Sequence, residues 1–194
     1  NKLKNGNEEV KTKVDPHLVS STEESTYTVE EITSFDDMNL SDSLLRGIYS
    51  FGFEKPSRIQ GKSIIPVSEG YDVIGQSQSG TGKTGAFSIG TLQRIDVKNR
   101  CTQALILAPT RELASQIHRV IGCLSSNMKG LEMELSIGGI RSSSRSKWDK
   151  NSPHLVIGTP GRILDNLKRK RLDISGLKIM VLDEADEMLS KGFT

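Results

Sequence analysis

Short apolar runs alternate with amphipathic helical patterns through most of the chain. Continuous apolar segments occupy residues 73–74, 104–107, 155–157 and 179–182, which is typical of parallel strands buried on both faces. Apolar residues spaced three and four apart predict an amphipathic helix over 113–124. Strand and helix taking turns predicts an α/β domain: right-handed crossover units, a mostly parallel sheet and helices on both faces.

The first 34 residues lack this order. Their apolar residues are single and scattered among charged and hydroxyl side chains, so we expect residues 1–34 to be a flexible N-terminal extension. The folded domain is predicted over 35–194. Near its start, Ser41 can cap a helix that places Leu44, Leu45 and Ile48 on one face. Pro56 suits the first turn of the next helix.

Composition narrows the class of protein. The chain has 194 residues, 35% of them hydrophobic and 26% charged, which fits one soluble domain. The net charge of +2 does not by itself indicate a nucleic-acid binder. Two cysteines without metal-type spacing favour reduced thiols, and no secretory signal or transmembrane segment is evident, so we expect a cytoplasmic or nuclear location. The sequence lacks an initiator Met, which favours a fragment or a processed product.

A phosphate-binding loop follows the first predicted strand. The residues from Gly80 to Thr84 read Gly-Thr-Gly-Lys-Thr and lead into a helical pattern. Glycines let several backbone N–H groups face one centre, Lys83 supplies a charge for phosphates, and Thr84 supplies a hydroxyl ligand for Mg²⁺. The strict pattern has glycine six residues before the lysine, where this chain has Ser77. The alternative is a simple Gly/Ser turn followed by a lysine.

Two carboxylates follow the last predicted strand. Asp183 comes directly after three apolar residues and Glu184 comes next. The first is placed to hold Mg²⁺ and the second to orient or deprotonate an attacking water. The structural alternative is that the two carboxylates form the acidic first turn of a helix and stabilise its dipole. This role is compatible with catalysis. Together with the phosphate loop, the pair indicates binding and hydrolysis of a nucleoside triphosphate.

Three further strings complete a family pattern: GFEKPSRIQ at 52–60, PTRELA at 109–114 and TPGR at 159–162. With the phosphate loop and the DEAD tetrad at 183–186, the chain resembles the DEAD-box ATP-dependent RNA helicases. Within them it is most similar to the translation initiation factor 4A group and its exon-junction relative. The resemblance covers about residues 35–194 and implies the first of two RecA-like P-loop domains, with the second absent from this sequence.

The resemblance implies a nucleotide site for ATP and Mg²⁺. In it Gln60 reads the adenine edge, and Phe35, seventeen residues before Gly52, stacks on the base; the alternative for Phe35 is core packing. The implied catalytic residues are Lys83, Asp183 and Glu184. The implied metal ligands are Thr84 and Asp183. The implied nucleotide contacts are Phe35, Arg58, Gln60, Ser79, Gly80, Thr81, Gly82, Lys83 and Thr84.

The resemblance also implies an RNA path that grips sugar and phosphate rather than bases. Arg111 and Arg162 each begin a predicted helix, where a phosphate meets both a side chain and a helix N-terminus. For either arginine alone, a structural salt bridge is an equally good interpretation. The implied RNA contacts are Pro109, Thr110, Arg111, Gly138, Gly139, Thr159, Pro160, Gly161 and Arg162.

Function follows as an expectation from the family. The full-length protein would bind RNA and unwind duplexes with ATP, in translation initiation or RNA processing, with an initiation-factor scaffold or exon-junction proteins as candidate partners. An ATP-gated RNA clamp that anchors other proteins is the alternative, and another class of P-loop NTPase is a weaker one. Asp186 would meet the second RecA-like domain. By itself, this domain is expected to bind nucleotide weakly, with little ATPase activity, because the charge-stabilising arginines belong to the second domain.

Overall fold

The computed structural model describes residues 9–13, 31–139 and 152–190. The chain divides into two compact units, residues 1–94 and residues 95–194. The single domain predicted over 35–194 therefore stays a prediction. So does the flexible extension over 1–34, most of which lies outside the described residues.

The described residues of the first unit form two strands, three helices and one short 3-10 helix. The strands pair antiparallel, with Glu9 beside Gln76 and Lys13 beside Asp72. The elements are strand β1 (Glu9–Lys13), the 3-10 helix Phe35–Met38, helix α1 (Asp42–Ser50), helix α2 (Arg58–Glu69), strand β2 (Asp72–Gln76) and helix α3 (Lys83–Arg94).

Strand β2 differs from the expectation. Residues 73–74 were predicted to be buried on both faces of a parallel sheet, and this is wrong, since Ile74 is 61% exposed. The two strands of this unit form an antiparallel ribbon, which leaves the side chains of β2 with less cover than a central strand has. Strand β1 lies within residues 1–34, where the sequence predicts no regular element.

A serine precedes both α1 and α2, but only the one before α2 makes a side-chain capping hydrogen bond. Ser41 is the N-cap of α1, as predicted, and Leu44 and Ile48 are buried. Helix α2 begins at Arg58, so Pro56 lies outside it and the predicted start is wrong. The reason is a capping box: the Ser57 hydroxyl accepts from the Gln60 backbone N–H, and the Gln60 side chain accepts from Ser57 N–H.

The second unit is a parallel sheet with connecting helices. Its strand order is β4-β5-β3-β6, and all three strand pairs are parallel. The elements are β3 (Ala104–Leu107), α4 (Arg111–Leu124), β4 (Met133–Ser136), β5 (Leu155–Gly158), α5 (Pro160–Lys168), β6 (Ile179–Leu182) and α6 (Ala185–Ser190). The predicted α/β class with a mostly parallel sheet is confirmed.

Strands β3 and β5 are buried on both faces. Leu105, Leu107 and Val156 form one cluster with Ile163 of α5 and Met188 of α6. Alternate residues of β3 and β5 point the other way and are fully buried as well. Right-handed crossovers place α4 and α5 on opposite faces, because one connection runs toward β4 and the other toward β6. Within the described residues, β6 pairs only with β3, and Met180 and Leu182 are half exposed. The expectation that residues 179–182 are buried on both faces is therefore wrong for these two.

The amino end of the sheet is fixed by a buried amide. Gln103 is 1% exposed and uses both ends of its side chain. Its Oε1 accepts from Asp96 N–H at 3.1 Å and from Lys178 Nζ at 3.3 Å. Its Nε2 donates to Asp96 O at 2.7 Å and to Asn99 O at 2.9 Å. One side chain thus ties the 96–99 loop to the segment that enters β6.

The carboxyl end of the sheet carries the polar motifs. Residues 109–111 follow β3, 138–139 follow β4, 159–162 follow β5, and 183–184 follow β6. Four of the predicted motifs therefore share one edge of the second unit. Ligands of open parallel sheets bind at this edge. Among the helices that the structure describes, none has the length and apolar character needed to cross a bilayer.

Candidate functional site

The phosphate loop joins β2 to α3 in the first unit. Gly80 has φ 83° and Gly82 has φ 100°, a left-handed backbone that glycine adopts without a Cβ penalty. A Cβ atom at Gly82 would also lie 2.7 Å from Gln60 Nε2. Both conformation and space therefore require glycine at residue 82, as the sequence pattern indicated.

The loop is closed by its own hydrogen bonds. Lys83 Nζ donates to the Ser77 carbonyl at 2.6 Å, and Thr81 Oγ1 donates to the Gln78 carbonyl at 2.8 Å. The hydroxyls of Ser77 and Thr81 are 2.6 Å apart. The lysine that was predicted to meet phosphate therefore lies over the loop, held by a loop carbonyl. Thr84 is half-buried and Ser79 is exposed.

Gln60 connects the start of α2 to this loop. Its Oε1 accepts from Ser57 N–H at 2.9 Å, and its Nε2 donates to the Gly82 carbonyl at 3.2 Å. These two bonds fix which end of the amide faces the loop. Arg58, also predicted at the nucleotide, pairs with Glu31 at 3.4 Å and is half exposed.

Phe35 lies in an aromatic cluster rather than on the surface. Its ring stacks on Phe53 at 6.2 Å between centroids and meets Tyr49 edge-on at 6.4 Å. It is 0% exposed, so no face of the ring is open to a base in this arrangement. That is the burial expected from the core-packing alternative for Phe35.

The segment after β3 presents the first arginine of the RNA set. Thr110 caps α4 by accepting from Leu113 N–H at 3.1 Å, and Pro109 and Thr110 are half-buried. Arg111 is the first residue of the helix and is exposed. Its guanidinium lies against the glycine doublet that follows β4: a Cβ atom would be 3.0 Å from Nη2 at Gly138 and 3.0 Å from Nη1 at Gly139.

The segment after β5 presents the second arginine. Thr159 is the N-cap of α5, Pro160 is its first residue, and Gly161 is exposed. Arg162 has a side chain 24% exposed, with Asp165 Oδ2 at 4.0 Å. Asp165 makes the shorter bond to Arg169, at 2.5 Å, and this hydrogen bond lowers the pKa of Asp165. Arg162 is therefore the weaker of two partners for that carboxylate.

Three polar residues that the motifs do not include lie between β4 and α5: Glu134 and Ser136 on β4, and Asn166 on α5. Asn166 Nδ2 donates to Ser136 Oγ at 2.8 Å, and both residues are buried. Glu134 lies two residues earlier on the same face of β4, beside Val156. Burial raises the pKa of Glu134 to about 7, with the charge of Arg162 acting in the opposite direction. The available signal was polar residues at alternate positions between Met133 and Ile137.

The DEAD tetrad begins where β6 ends. Asp183 N–H donates to the Leu107 carbonyl at 3.0 Å, and its Oδ1 accepts from Glu184 N–H at 3.1 Å. Asp183 is 8% exposed. Glu184 is exposed and has φ 50°, a left-handed backbone for a non-glycine residue, and Asp186 is exposed on α6.

The residues group by unit. In the first unit, Gln60 bonds to the phosphate loop. Phe35 of the same unit is buried in the aromatic cluster instead. In the second unit, Arg111 meets Gly138 and Gly139. Arg162 follows β5 and Asp183 follows β6 at the same edge of the sheet, with β3 between the two strands. Within the described parts of the chain, no group of three or more His, Cys, Asp or Glu is placed to hold a metal ion.

Known proteins match this arrangement in sequence and in fold. The ATP-dependent RNA helicase eIF4A of Pyricularia oryzae is 53% identical over 165 residues, which cover 85% of this chain and 41% of that protein. A DEAD box protein from Methanococcus jannaschii superposes with a TM-score of 0.75 at 40% identity, over 84% of this chain and 45% of the other. S. cerevisiae Dbp5, bound to RNA and ADP BeF3, gives 0.72 at 37% identity, over 81% and 40%.

These relatives share the RecA-like α/β fold, and the chain spans less than half the length of each. The family model described as "DEAD/DEAH box helicase" matches residues 57–194. That range contains the phosphate loop, the glycine doublet, both arginine motifs and the DEAD tetrad. The chain belongs to the DEAD/DEAH box helicase family.

Proposed function

We propose that this chain is the ATP-binding half of an ATP-dependent RNA helicase. The observation that carries the proposal is the Gln60 Nε2 bond to the Gly82 carbonyl. It joins a residue suited to reading adenine to a loop suited to holding phosphate. The names of the relatives support the same activity, since one is an ATP-dependent RNA helicase and another was solved with RNA and ADP BeF3.

The proposed nucleotide site uses the loop and its neighbours. Lys83 turns from the Ser77 carbonyl to the β- and γ-phosphates, while the N–H groups from Ser79 to Lys83 face the phosphate oxygens. Gln60 presents a donor and an acceptor to the adenine edge, which guanine does not match. Phe35 enters the site only if its ring leaves the aromatic cluster, so it is the weakest of the proposed contacts.

The chain's residues fit a Mg²⁺ that arrives with the nucleotide. Mg²⁺ keeps several waters and takes phosphate oxygens, so it needs one or two protein ligands rather than a full cage. In the first unit, the hydroxyl of Thr84, in the first turn of α3, is a ligand of the right chemistry. In the second unit, taken by itself, the carboxylate of Asp183 at the end of β6 is another. The metal would supply charge stabilisation at the transferring phosphate. Glu184, exposed beside Asp183, is proposed to orient the attacking water.

The proposed RNA site is the carboxyl edge of the second unit. Arg111 and Arg162 stand at the N-termini of α4 and α5, where helix dipoles favour a phosphate. Gly138 and Gly139 let the RNA backbone come close, and Pro109, Thr110, Thr159, Pro160 and Gly161 shape the adjoining loops. Contacts to sugar and phosphate fix the position of the RNA on the protein without recognising its base sequence.

The wider role is also a proposal. The relatives support translation initiation for the whole protein, with RNA processing as the neighbouring role. Asp186, exposed on α6, is proposed to meet a second RecA-like domain. An initiation-factor scaffold or exon-junction proteins remain the proposed partners, in cytoplasm or nucleus. Residues 1–194 by themselves are expected to hydrolyse ATP slowly.

Nucleotide competition tests the proposal. Fluorescent ADP with Mg²⁺ should bind the chain, ATP should displace it, and GTP should displace it at least tenfold less well. Lys83→Ala should weaken binding at least tenfold, whereas Lys98→Ala, which removes an exposed charge from the 95–103 segment, should leave it unchanged. Equal competition by GTP, or equal losses in the two variants, contradicts the assignment.

A further inference from the structure

We propose that Ser77 is a latch on the phosphate loop: its hydroxyl holds the loop closed and thereby lowers the affinity for nucleotide. This inference rests on the proposed nucleotide function. In the sequence, Ser77 is only a difference from the strict phosphate-loop pattern, which has glycine at this position.

The direction of the hydrogen bonds identifies Ser77 as the donor. Thr81 Oγ1 donates its single proton to the Gln78 carbonyl at 2.8 Å. The 2.6 Å contact between the two hydroxyls therefore needs the Ser77 proton, because each hydroxyl carries only one. A glycine or alanine at residue 77 has no group to make this bond.

The backbone of the same residue holds the lysine. Lys83 Nζ donates to the Ser77 carbonyl at 2.6 Å, so Ser77 binds Thr81 through its side chain and Lys83 through its main chain. Both partners are loop residues assigned to phosphate. To bind a phosphate, the Lys83 ammonium must leave the Ser77 carbonyl. The hydrogen bond between the Ser77 and Thr81 hydroxyls opposes that rearrangement of the loop.

The surroundings allow the bond to contribute. Ser77, Thr81 and Lys83 are all half-buried, whereas Gln78, Ser79 and Gly80 are exposed. Water therefore competes less for the Ser77–Thr81 bond than for a fully exposed pair. A net hydrogen bond of ordinary strength shifts a two-state equilibrium about fivefold, and the apparent affinity of a ligand for the open state changes by up to the same factor.

The test measures binding of a fluorescent ADP with Mg²⁺ to the full 194-residue chain by stopped flow. Ser77→Ala should lower the Kd about fivefold through a faster association rate, with the dissociation rate unchanged. Ser77→Thr keeps a hydroxyl and should restore wild-type kinetics. Ser68→Ala is the matched control, since it removes one hydroxyl bond, to the Ile65 carbonyl at 2.8 Å, from the end of α2.

The outcomes separate the latch from the function on which it rests. If the wild type binds the nucleotide and Ser77→Ala binds equally or more weakly, the latch is wrong while the nucleotide site stands. If neither the wild type nor Ser77→Ala binds the nucleotide and both unfold cooperatively on heating, the proposed function fails and the latch fails with it. A gain in affinity for Ser68→Ala equal to that for Ser77→Ala would also overturn the latch.

Discussion

The guanidinium of Arg111 lies on the backbone of Gly138, so close that a Cβ atom there would be 3.0 Å from Nη2. The two residues follow different strands of one sheet, β3 and β4. The glycine doublet thus forms the surface on which the arginine rests, and its lack of side chains decides where the charge is presented.

The first prediction is that Gly138→Ala displaces Arg111 without unfolding the protein. The backbone at residue 138 is not left-handed, and the nearest atom is the end of a flexible side chain, so the cost in stability should stay below about 1 kcal/mol. The affinity for single-stranded RNA, measured by fluorescence anisotropy, should fall about fivefold because a charge-assisted phosphate bond is lost.

Gly122→Ala is the control for that experiment. Gly122 lies in the interior of α4, with the nearest atom to a new Cβ at 3.6 Å. The substitution should stabilise the protein by about 0.5–1 kcal/mol, because glycine is unfavourable within a helix, and should not change RNA affinity. Equal RNA affinity in both variants would show that the position of Arg111 is unimportant.

The second prediction concerns the salt dependence of RNA binding. Arg162→Ala removes one proposed phosphate contact, so the slope of log K against log salt should become shallower by about 0.7. Arg100→Ala removes the same charge from an exposed pair with Glu132 at 2.8 Å, near the amino end of the sheet, and should leave the slope unchanged. If the two variants change the slope alike, the effect is one of net charge rather than of a site.

The third prediction is a pH dependence of stability that comes from Glu134. Its folded pKa of about 7 lies above the ordinary value of 4.5, so the folded state binds a proton more tightly than the unfolded state. The stabilisation is complete below about pH 4.5 and is lost as the pH rises through 7. Glu134→Gln should remove this dependence, which amounts to about 1 kcal/mol once solvent screening of a half-buried charge is considered.

Urea denaturation between pH 4.5 and 8 measures the effect. Glu132→Gln, at an exposed position of the same segment, should keep the wild-type dependence on pH. A Glu134→Gln variant whose stability still falls across pH 7 as the wild type does would mean that another group titrates there.

The fourth prediction separates stability from ligand binding. Gln103→Ala removes four hydrogen bonds and a buried side chain from the amino end of the sheet, so the free energy of unfolding should fall by about 2–4 kcal/mol. Because Gln103 lies at the amino end of β3, the folded fraction should bind RNA as well as the wild type does. Gln116→Ala, exposed on α4, should cost less than about 0.5 kcal/mol.

Local chemistry determined much of this protein. The alternation of apolar strands with amphipathic helices predicted the α/β class, and a polar residue directly after a buried strand must lie at the carboxyl edge of a parallel sheet. Thr110 caps its helix because its hydroxyl accepts from the Leu113 N–H, three residues later. Such features depend on neighbours in the sequence, so the sequence alone predicts them.

Other features depended on residues distant in the chain, and only the tertiary structure decided them. Ile74 is exposed because its strand pairs with Glu9–Lys13, and Phe35 is closed to solvent because Tyr49 and Phe53 surround it. The position of Arg111 depends on a glycine doublet 27 residues later. Glu134 has a raised pKa because α5 covers its strand. Burial and long-range pairing set these properties, and neither is written in the local pattern of apolar and polar residues.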